Sequence, residues 1–535
     1  MKNNLSPWAI TLFLLGTIGV VFPYIFADAL PGDIGDARFN LYVLEHFYLV
    51  LTGQVDGFID APFFYPLTKT ILFSDNHWGD GLIYSYFRFF DATPIDSFAY
   101  WFFVGFILNY WSAFYVLRKF ELSQLAAAVG AFLFTFGLPV IAQDGHCQLI
   151  YRLFVPLAIL AFHNYTKSRN FYYLTVTMLM VSLQLLTSVY NGIFLAYFLF
   201  FWAIIELRII PLNRIRNFLP QEYCPRKSLP VLALAVTILL VFALPYFAVK
   251  NLYHFSRSLL ETSLMMPRIQ SYFLGDRSNL WFSDFTIFSQ IPARWEHQMF
   301  VGIGALIALL FLFLRKGLIE KNSLTQKFIY TLSLMIFVTL FLEGFSLFYF
   351  FALTVPGTSA IRAVSREILV ILFPLSYLVG FTIDKIRGTS FATLSSSALV
   401  FIICFLVVID PIFANKSIAS RKEWEARLDL LQSKFSTPLD KSSIISVSSK
   451  TIHDEIDAML LAQKLGIKTI NGYSGNYPNI TKTNVYELLD NCDRAKERLK
   501  NIETVMRSTK QNFSLDRSKI VGVGFRKKCD FTTSR

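Results

Sequence analysis

The chain is written in long apolar runs separated by short polar breaks. The runs lie at 7–27, 98–117, 124–142, 149–164, 171–189, 191–207, 229–249, 299–314, 327–345, 366–383 and 391–410. About 20 consecutive apolar residues in a helix span the hydrocarbon core of a bilayer, and most of these runs reach or approach that length. The pattern predicts a mainly α polytopic membrane protein with about eleven transmembrane helices. The 149–164 run is short and contains Arg152, and 171–207 must be split at Thr187-Ser-Val-Tyr-Asn-Gly192. Pro7–Ala27 is too long for a signal-peptide core and no small-residue cleavage site follows it, so it reads as a retained anchor.

The polar breaks alternate in character. Arg118/Lys119, Lys167/Arg169, Arg208/Arg214/Arg216/Arg226/Lys227, Arg315/Lys316/Lys321 and Lys385/Arg387 fall in one set of loops, while Gln143–Gln148 and Thr187–Gly192 carry no Lys or Arg. Basic residues concentrate in cytoplasmic loops. The N-terminus is therefore expected in the cytoplasm, with the 28–97 loop, the 250–298 loop and the tail facing outward. Asn40–Leu51 has the spacing of an amphipathic helix lying at the interface. The 250–298 loop is rich in charge, with Arg257, Glu261, Arg268, Arg277, Asp284, Arg294, Glu296 and His297. Ser346–Arg366 is apolar at first and then polar, the pattern of a partly re-entrant or interfacial segment. From about 412 the composition becomes that of a soluble chain. Trp424–Phe435 and Asp454–Leu465 read as helices, and Ser443–Val447 and Lys468–Ile470 as strands leading into Asn471-Gly-Tyr-Ser-Gly-Asn-Tyr-Pro478. This order predicts a small extracytoplasmic α/β domain at 412–535 after a membrane domain at 1–411.

Composition agrees. Only 16% of the 535 residues are charged, against about 25% in soluble domains, and mean hydropathy is +0.48. The net charge of +12 follows the loops, so it sets orientation rather than marking a nucleic-acid partner. Cys492 and Cys529 both fall in the tail, where they form either a disulfide or two thiols. The five cysteines show no metal-ligand spacing, and no G-x-G-x-x-G or P-loop offers a nucleotide site.

Candidate chemistry gathers after the first run, in Asp28-Ala-Leu-Pro-Gly-Asp-Ile-Gly-Asp-Ala-Arg-Phe-Asn40. Three carboxylates, two glycines and an arginine are more than a turn between two spans needs. Within it, Gly35-Asp-Ala-Arg-Phe39 resembles the Asp-Glu-x-Arg-Tyr signature of the GT-C glycosyltransferases, multispanning enzymes that use polyprenyl-phosphate-linked sugars. Shorter pieces are similar to bacterial members of unassigned specificity: Phe64-Tyr-Pro66, Ser74-Asp75, Gly145-His-Cys-Gln148 before Pro156, Ile361-Arg362 with Ser365-Arg366, and Asn471-Gly-Tyr-Ser-Gly475. The resemblance implies a GT-C-like helical core whose catalytic cavity opens outward, partly covered by the first outer loop. It places Asp36 at the catalytic aspartate, while Ala37 stands where an acidic neighbour is usual.

Transfer of a sugar from a lipid phosphate to an acceptor hydroxyl requires a base, cations for the departing phosphate and an apolar groove. Asp36 is expected to be the base, with Asp33 orienting the acceptor or holding a divalent metal ion. No cofactor is otherwise implied. Arginine matches phosphate geometry, and Arg362, Arg366, Arg152 and Arg38 are the candidates; Arg38 equally suits a salt bridge to Asp36 or Asp33. His146 and Gln148 in an outer turn, with Tyr65, Asp75 and His77, are candidates for the acceptor and sugar. The expected partners are a polyprenyl-phosphate sugar, membrane lipids and a glycan, lipid or protein acceptor. The alternatives are a lipid-linked sugar flippase or transporter, which should show repeated halves with charges at the bilayer centre, and an O-antigen-type polymerase.

Overall fold

A computed structural model describes residues 6–209, 218–283, 286–388, 393–435, 439–477, 491–511, 515–525 and 529–532. Arg214, Arg216, Asp284 and Pro478, named above, lie outside these residues. Among the described residues, eight helices are long and apolar enough to cross a membrane: Pro7–Ile25, Pro94–Lys119, Gln124–Ala142, Cys147–Ser168, Val189–Leu207, Pro225–Tyr253, Val364–Gly388 and Ser396–Phe413. The shorter apolar helices Phe171–Thr187, Ile303–Leu314 and Leu324–Thr339 bring the set to the eleven segments read from the hydropathy. The chain is a multi-pass membrane protein.

Small residues set how closely these helices approach, as is usual where lipid supplies no hydrophobic drive between them. A Cβ on Gly130 would stand 2.9 Å from the Ser376 carbonyl, and one on Gly380 would stand 2.9 Å from the Ala126 carbonyl. Gln124–Ala142 and Val364–Gly388 therefore meet backbone to backbone at the centre of the bundle.

After the first span, β1 (Ala29–Pro31) pairs antiparallel with β2 (Ile418–Ser420), which follows the last span. Gly32, at φ +82°, turns the chain, and the Asp33 carboxylate accepts the Gly35 N–H at 2.9 Å. The helix Asp36–Leu51 starts there. It does not lie on the lipid interface as its amphipathic spacing suggested. Ala37 to Phe47 are all buried, because the tail packs over the face that would have met lipid. Arg38 pairs with Asp457 at 2.5 Å, and Gln463 donates to the Tyr42 carbonyl. Ser346–Arg366 breaks into a helix, Phe348–Thr354, and two 3-10 turns.

The tail contains the predicted helices, as Arg421–Ser433 and Ile452–Leu465, the latter capped by Gly466 at φ +65°. Strands β3 (Ile444–Val447) and β4 (Lys468–Thr469) are joined by β5 (Ile520–Val523) in a parallel sheet of order β4-β3-β5. The helix Asn491–Ser508 and β5 were not anticipated. Cys492 and Cys529 form a disulfide. One apolar core joins tail residues Ile456, Met459 and Ile470 with Phe39, Phe63 and Phe73 of the first loop. The tail is thus built onto that loop rather than hung from the last span.

Candidate active site

Four side chains from four separate segments meet in a row of alternating charge. Asp36, in the first turn of its helix where the N-terminal dipole favours an anion, takes the His146 Nδ1 at 2.9 Å. His146 comes from the short break between two spans, and its Nε2 lies 3.3 Å from Glu296 Oε1. Glu296, from the 250–298 loop, accepts two hydrogen bonds from Arg366, at 2.9 and 2.7 Å. Arg366 also lies 4.8 Å over the Tyr190 ring. The second Asp36 oxygen accepts the Tyr473 hydroxyl at 2.5 Å.

Tyr473 is held by a rigid loop after β4. The Asn471 side chain bonds both the N–H and the carbonyl of Val447. The Gly472 N–H and Asn471 Nδ2 donate to the buried Glu455, which Arg498 also holds. Gly472 has no room for a side chain, since a Cβ would collide with Phe64. Arg257 donates to the Gly475 carbonyl and pairs with Glu261. Arg362, about a third exposed, lies 3.4 Å from the same Glu261 oxygen.

Burial would raise the Asp36 carboxyl, but the hydrogen bond and charge of His146, the Tyr473 hydroxyl and Arg366 outweigh it and hold the group at about 2. Burial and Arg366 push the His146 imidazole down, yet Asp36 and Glu296 lift it to about 9. Glu296 is raised by burial and brought well below the ordinary range by Arg366 and His146. At neutral pH the row reads anion, cation, anion, cation.

Around it, Asn40 donates to the Asp36 carbonyl at 2.7 Å and to Gln148 at 3.1 Å, and its Oδ1 meets His77 at 2.7 Å. His77 in turn meets Asp80 at 3.1 Å. Asp75 accepts the Val189 N–H at 3.0 Å, and burial raises its carboxyl. His146, Gln148 and His77 therefore lie in one network with Asp36. Asp33 is exposed and occupied by its own turn. Arg152 is fully buried, donating to the Leu369 carbonyl one helical turn below Arg366 and lying 4.6 Å over the Phe134 ring.

Two expected residues lie elsewhere. Arg38 is not beside Asp36 or Asp33. Two residues along a helix turn the side chain by about 200°, and it meets Asp457 on the opposite face. Tyr65 sits under the tail, bonded to Lys468 at 3.2 Å. The roles of Glu296 and Tyr473 were missed, although Glu296 lay in a conspicuously charged loop and Tyr473 in the Asn471–Gly475 piece.

The residues do not fit a divalent cation. One Asp36 oxygen faces an imidazolium and the other a hydroxyl, and Asp33, exposed and with one oxygen accepting the Gly35 N–H, is not joined to it in a ligand group. Among the described residues no group of three or more His, Cys, Asp or Glu side chains is placed to hold a metal ion.

The fold has solved counterparts. An oligosaccharyltransferase, AglB from Archaeoglobus fulgidus, in complex with an inhibitory peptide and a dolichol-phosphate, matches with a TM-score of 0.51 at 12% identity, over 94% of this chain and 68% of that chain. The Archaeoglobus fulgidus oligosaccharyltransferase tethered to an acceptor peptide gives 0.48 at 11% identity over the same shares. ArnT from Cupriavidus metallidurans bound to undecaprenyl phosphate gives 0.38 at 10%, over 86% of this chain and 89% of that one. The architecture is GT-C-like. No curated protein matches the sequence. Residues 35–410 match the model of the family described as Domain of unknown function (DUF6311), and that match takes in Asp36, His146, Glu296 and Arg366: the chain belongs to this family.

Proposed function

We propose that this protein is a membrane glycosyltransferase that moves a sugar from a polyprenyl-phosphate donor to an acceptor hydroxyl, with Asp36 receiving the proton. The observation that carries the reading is the row Asp36–His146–Glu296–Arg366, built from one span and three inter-span segments. In that row the Asp36 carboxylate is held at both oxygens, by His146 and Tyr473, and Arg366 stands at the far end.

The glycosyl C1–O bond to phosphate breaks with its electrons going to the phosphate oxygen. The acceptor oxygen bonds to C1, and its proton passes to Asp36. A carboxylate held at about 2 is a weak base toward an intact hydroxyl. Glycosyl transfer passes through an oxocarbenium-like state, in which the attacking hydroxyl becomes acidic as its oxygen bonds to C1. Proton transfer is then late, and until that point the anion stabilises the positive charge developing on the sugar. Arg366 is committed to Glu296. The phosphate therefore falls to Arg362, with Arg257 beside it, both sharing the single carboxylate of Glu261. Arg152, beneath the site, supplies positive charge without touching the donor. No step is routed through a metal. Gln148 and His77 orient the base through Asn40, and Asp75 lies behind them on the acceptor side.

The basic loops support a cytoplasmic N-terminus in a bacterial inner membrane, with residues 412–535 outside. The dolichol-phosphate in the AglB structure supports a lipid-phosphate donor for a chain of this fold. The test is to incubate the purified protein in bilayers with a panel of polyprenyl-phosphate sugars and simple acceptors. Released polyprenyl phosphate and glycosylated acceptor are expected, and both should fall by about 10²–10⁴-fold in Asp36→Asn. Movement of intact lipid-linked sugar across the bilayer without cleavage would instead make the protein a carrier.

A further inference from the structure

The helix Gly81–Phe89 has two unlike faces. Gly81, Tyr84 and Ser85 are buried against the Asp36–Leu51 helix. The contact is close, since a Cβ on Gly81 would stand 2.9 Å from the Phe47 ring. It is also fastened. Tyr84 donates to Glu45 at 2.6 Å, and Arg88 donates to both Glu45 oxygens at 2.9 and 3.0 Å while lying 4.7 Å over the Tyr48 ring. The other face carries Leu82, Tyr86 and Phe89, at the i, i+4, i+7 spacing of one stripe, followed by Phe90. These four are 60%, 58%, 58% and 70% exposed. The helix's only charged side chain, Arg88, is drawn to the inner face by Glu45.

The surroundings say what covers this stripe. Four residues after Phe89 the chain enters the span Pro94–Lys119. Phe87 is in ring contact with Tyr100, nearly two turns inside that span and itself 46% exposed, at 5.2 Å. The stripe is thus continuous with a surface that faces lipid. It ends in a cluster of aromatic rings: tyrosine is enriched where membranes meet water, and phenylalanine and leucine make up the apolar face of helices that lie in that layer. We propose that Gly81–Phe89 lies flat in the interfacial layer of the bilayer, on the side of the candidate active site, with Leu82, Tyr86, Phe89 and Phe90 among the upper carbons of the lipid tails.

Through Glu45 this anchor sets the height of the whole Asp36–Leu51 helix. Glu45 is nine residues from Asp36, about 14 Å along the axis, and Tyr84 and Arg88 leave it no freedom to slide. The depth of Gly81–Phe89 therefore fixes how far the Asp36 carboxylate stands from the headgroups. The inference concerns membrane placement and holds whichever reaction the site performs.

Spin labels test it in the full chain reconstituted in liposomes. Labels are placed at Leu82→Cys and Phe90→Cys in a background with Cys224→Ser and Cys404→Ser. Phe401→Cys, 69% exposed on the last span, serves as the lipid reference, and the exposed Lys450→Cys on the tail as the water reference. The labels at 82 and 90 should collide several-fold more with oxygen than with a water-soluble nickel chelate, as at 401 and opposite to 450. Collision ratios like those at 450 would put the stripe in water and overturn the proposal. Shielding from both reagents would also overturn it, because the stripe would then be covered by protein.

Discussion

Replacing Glu296 by glutamine keeps the shape of the row and removes one charge, so it isolates what that carboxylate does. His146 stands 2.9 Å from Asp36 and 3.3 Å from Glu296, and the two lift its imidazole from 6.5 to about 9. That shift corresponds to about 3 kcal/mol of preference for the imidazolium in the folded protein. A histidine raised in this way adds stability that is complete below its ordinary value and is lost as pH rises through about 9. In Glu296→Gln one carboxylate is gone and Arg366 is no longer neutralised beside the ring. Both changes lower the imidazole, so the alkaline loss begins nearer neutrality. A second effect adds to this. Arg366 is left buried without its partner, which costs about 3–5 kcal/mol at every pH. The assay follows melting temperature from about pH 6 to about pH 10, together with the His146 ring signal in histidine-labelled protein. The variant should melt lower throughout, and its curve should turn down at lower pH than the parent's. Parallel curves with an unmoved His146 titration would refute the assignment of the imidazolium to this pair of carboxylates.

Other outcomes follow from the same geometry. Asp36→Asn should cut turnover by about 10²–10⁴-fold with donor KM little changed, measured as released polyprenyl phosphate. Arg38→Ala should leave donor KM unchanged and lower stability by up to about 3 kcal/mol, since Arg427 still holds Asp457 at 2.6 Å; thermal unfolding checks the second part. Gly380→Leu should destabilise the bundle by about 1–3 kcal/mol through the Ala126 carbonyl, read as a lower melting temperature in detergent. Gly472→Ala should push the loop off Phe64 and withdraw Tyr473 from Asp36, lowering kcat while the transmembrane bundle melts as before.

The spans were legible because lipid imposes one rule on every crossing segment, length with apolar composition, and that rule is local. The Asp36 turn was legible because glycine and acid cluster where a chain leaves the membrane. What could not be read was which polar groups meet. Glu296 and Tyr473 reach Asp36 and His146 only through packing across distant segments, and no spacing rule records that. Arg38 was misplaced for the opposite reason: nearness in sequence suggested nearness to Asp36, while helical geometry turned it to the far face. The Asn40–Leu51 stripe was read as lipid-facing because the sequence does not say that the tail will cover it, whereas the exposed stripe at Leu82–Phe90 was left unread.

The pairing of Asp36 with Tyr473 joins positions 437 residues apart, and β1 is closed by a strand that follows the last span. The carboxylate emerges from the ribosome 437 residues before its hydroxyl partner. A chain halted anywhere before residue 473 carries an acid with one of its two holders missing. Translation order thus acts as a safeguard, since every span between the two positions must be made before the centre is finished.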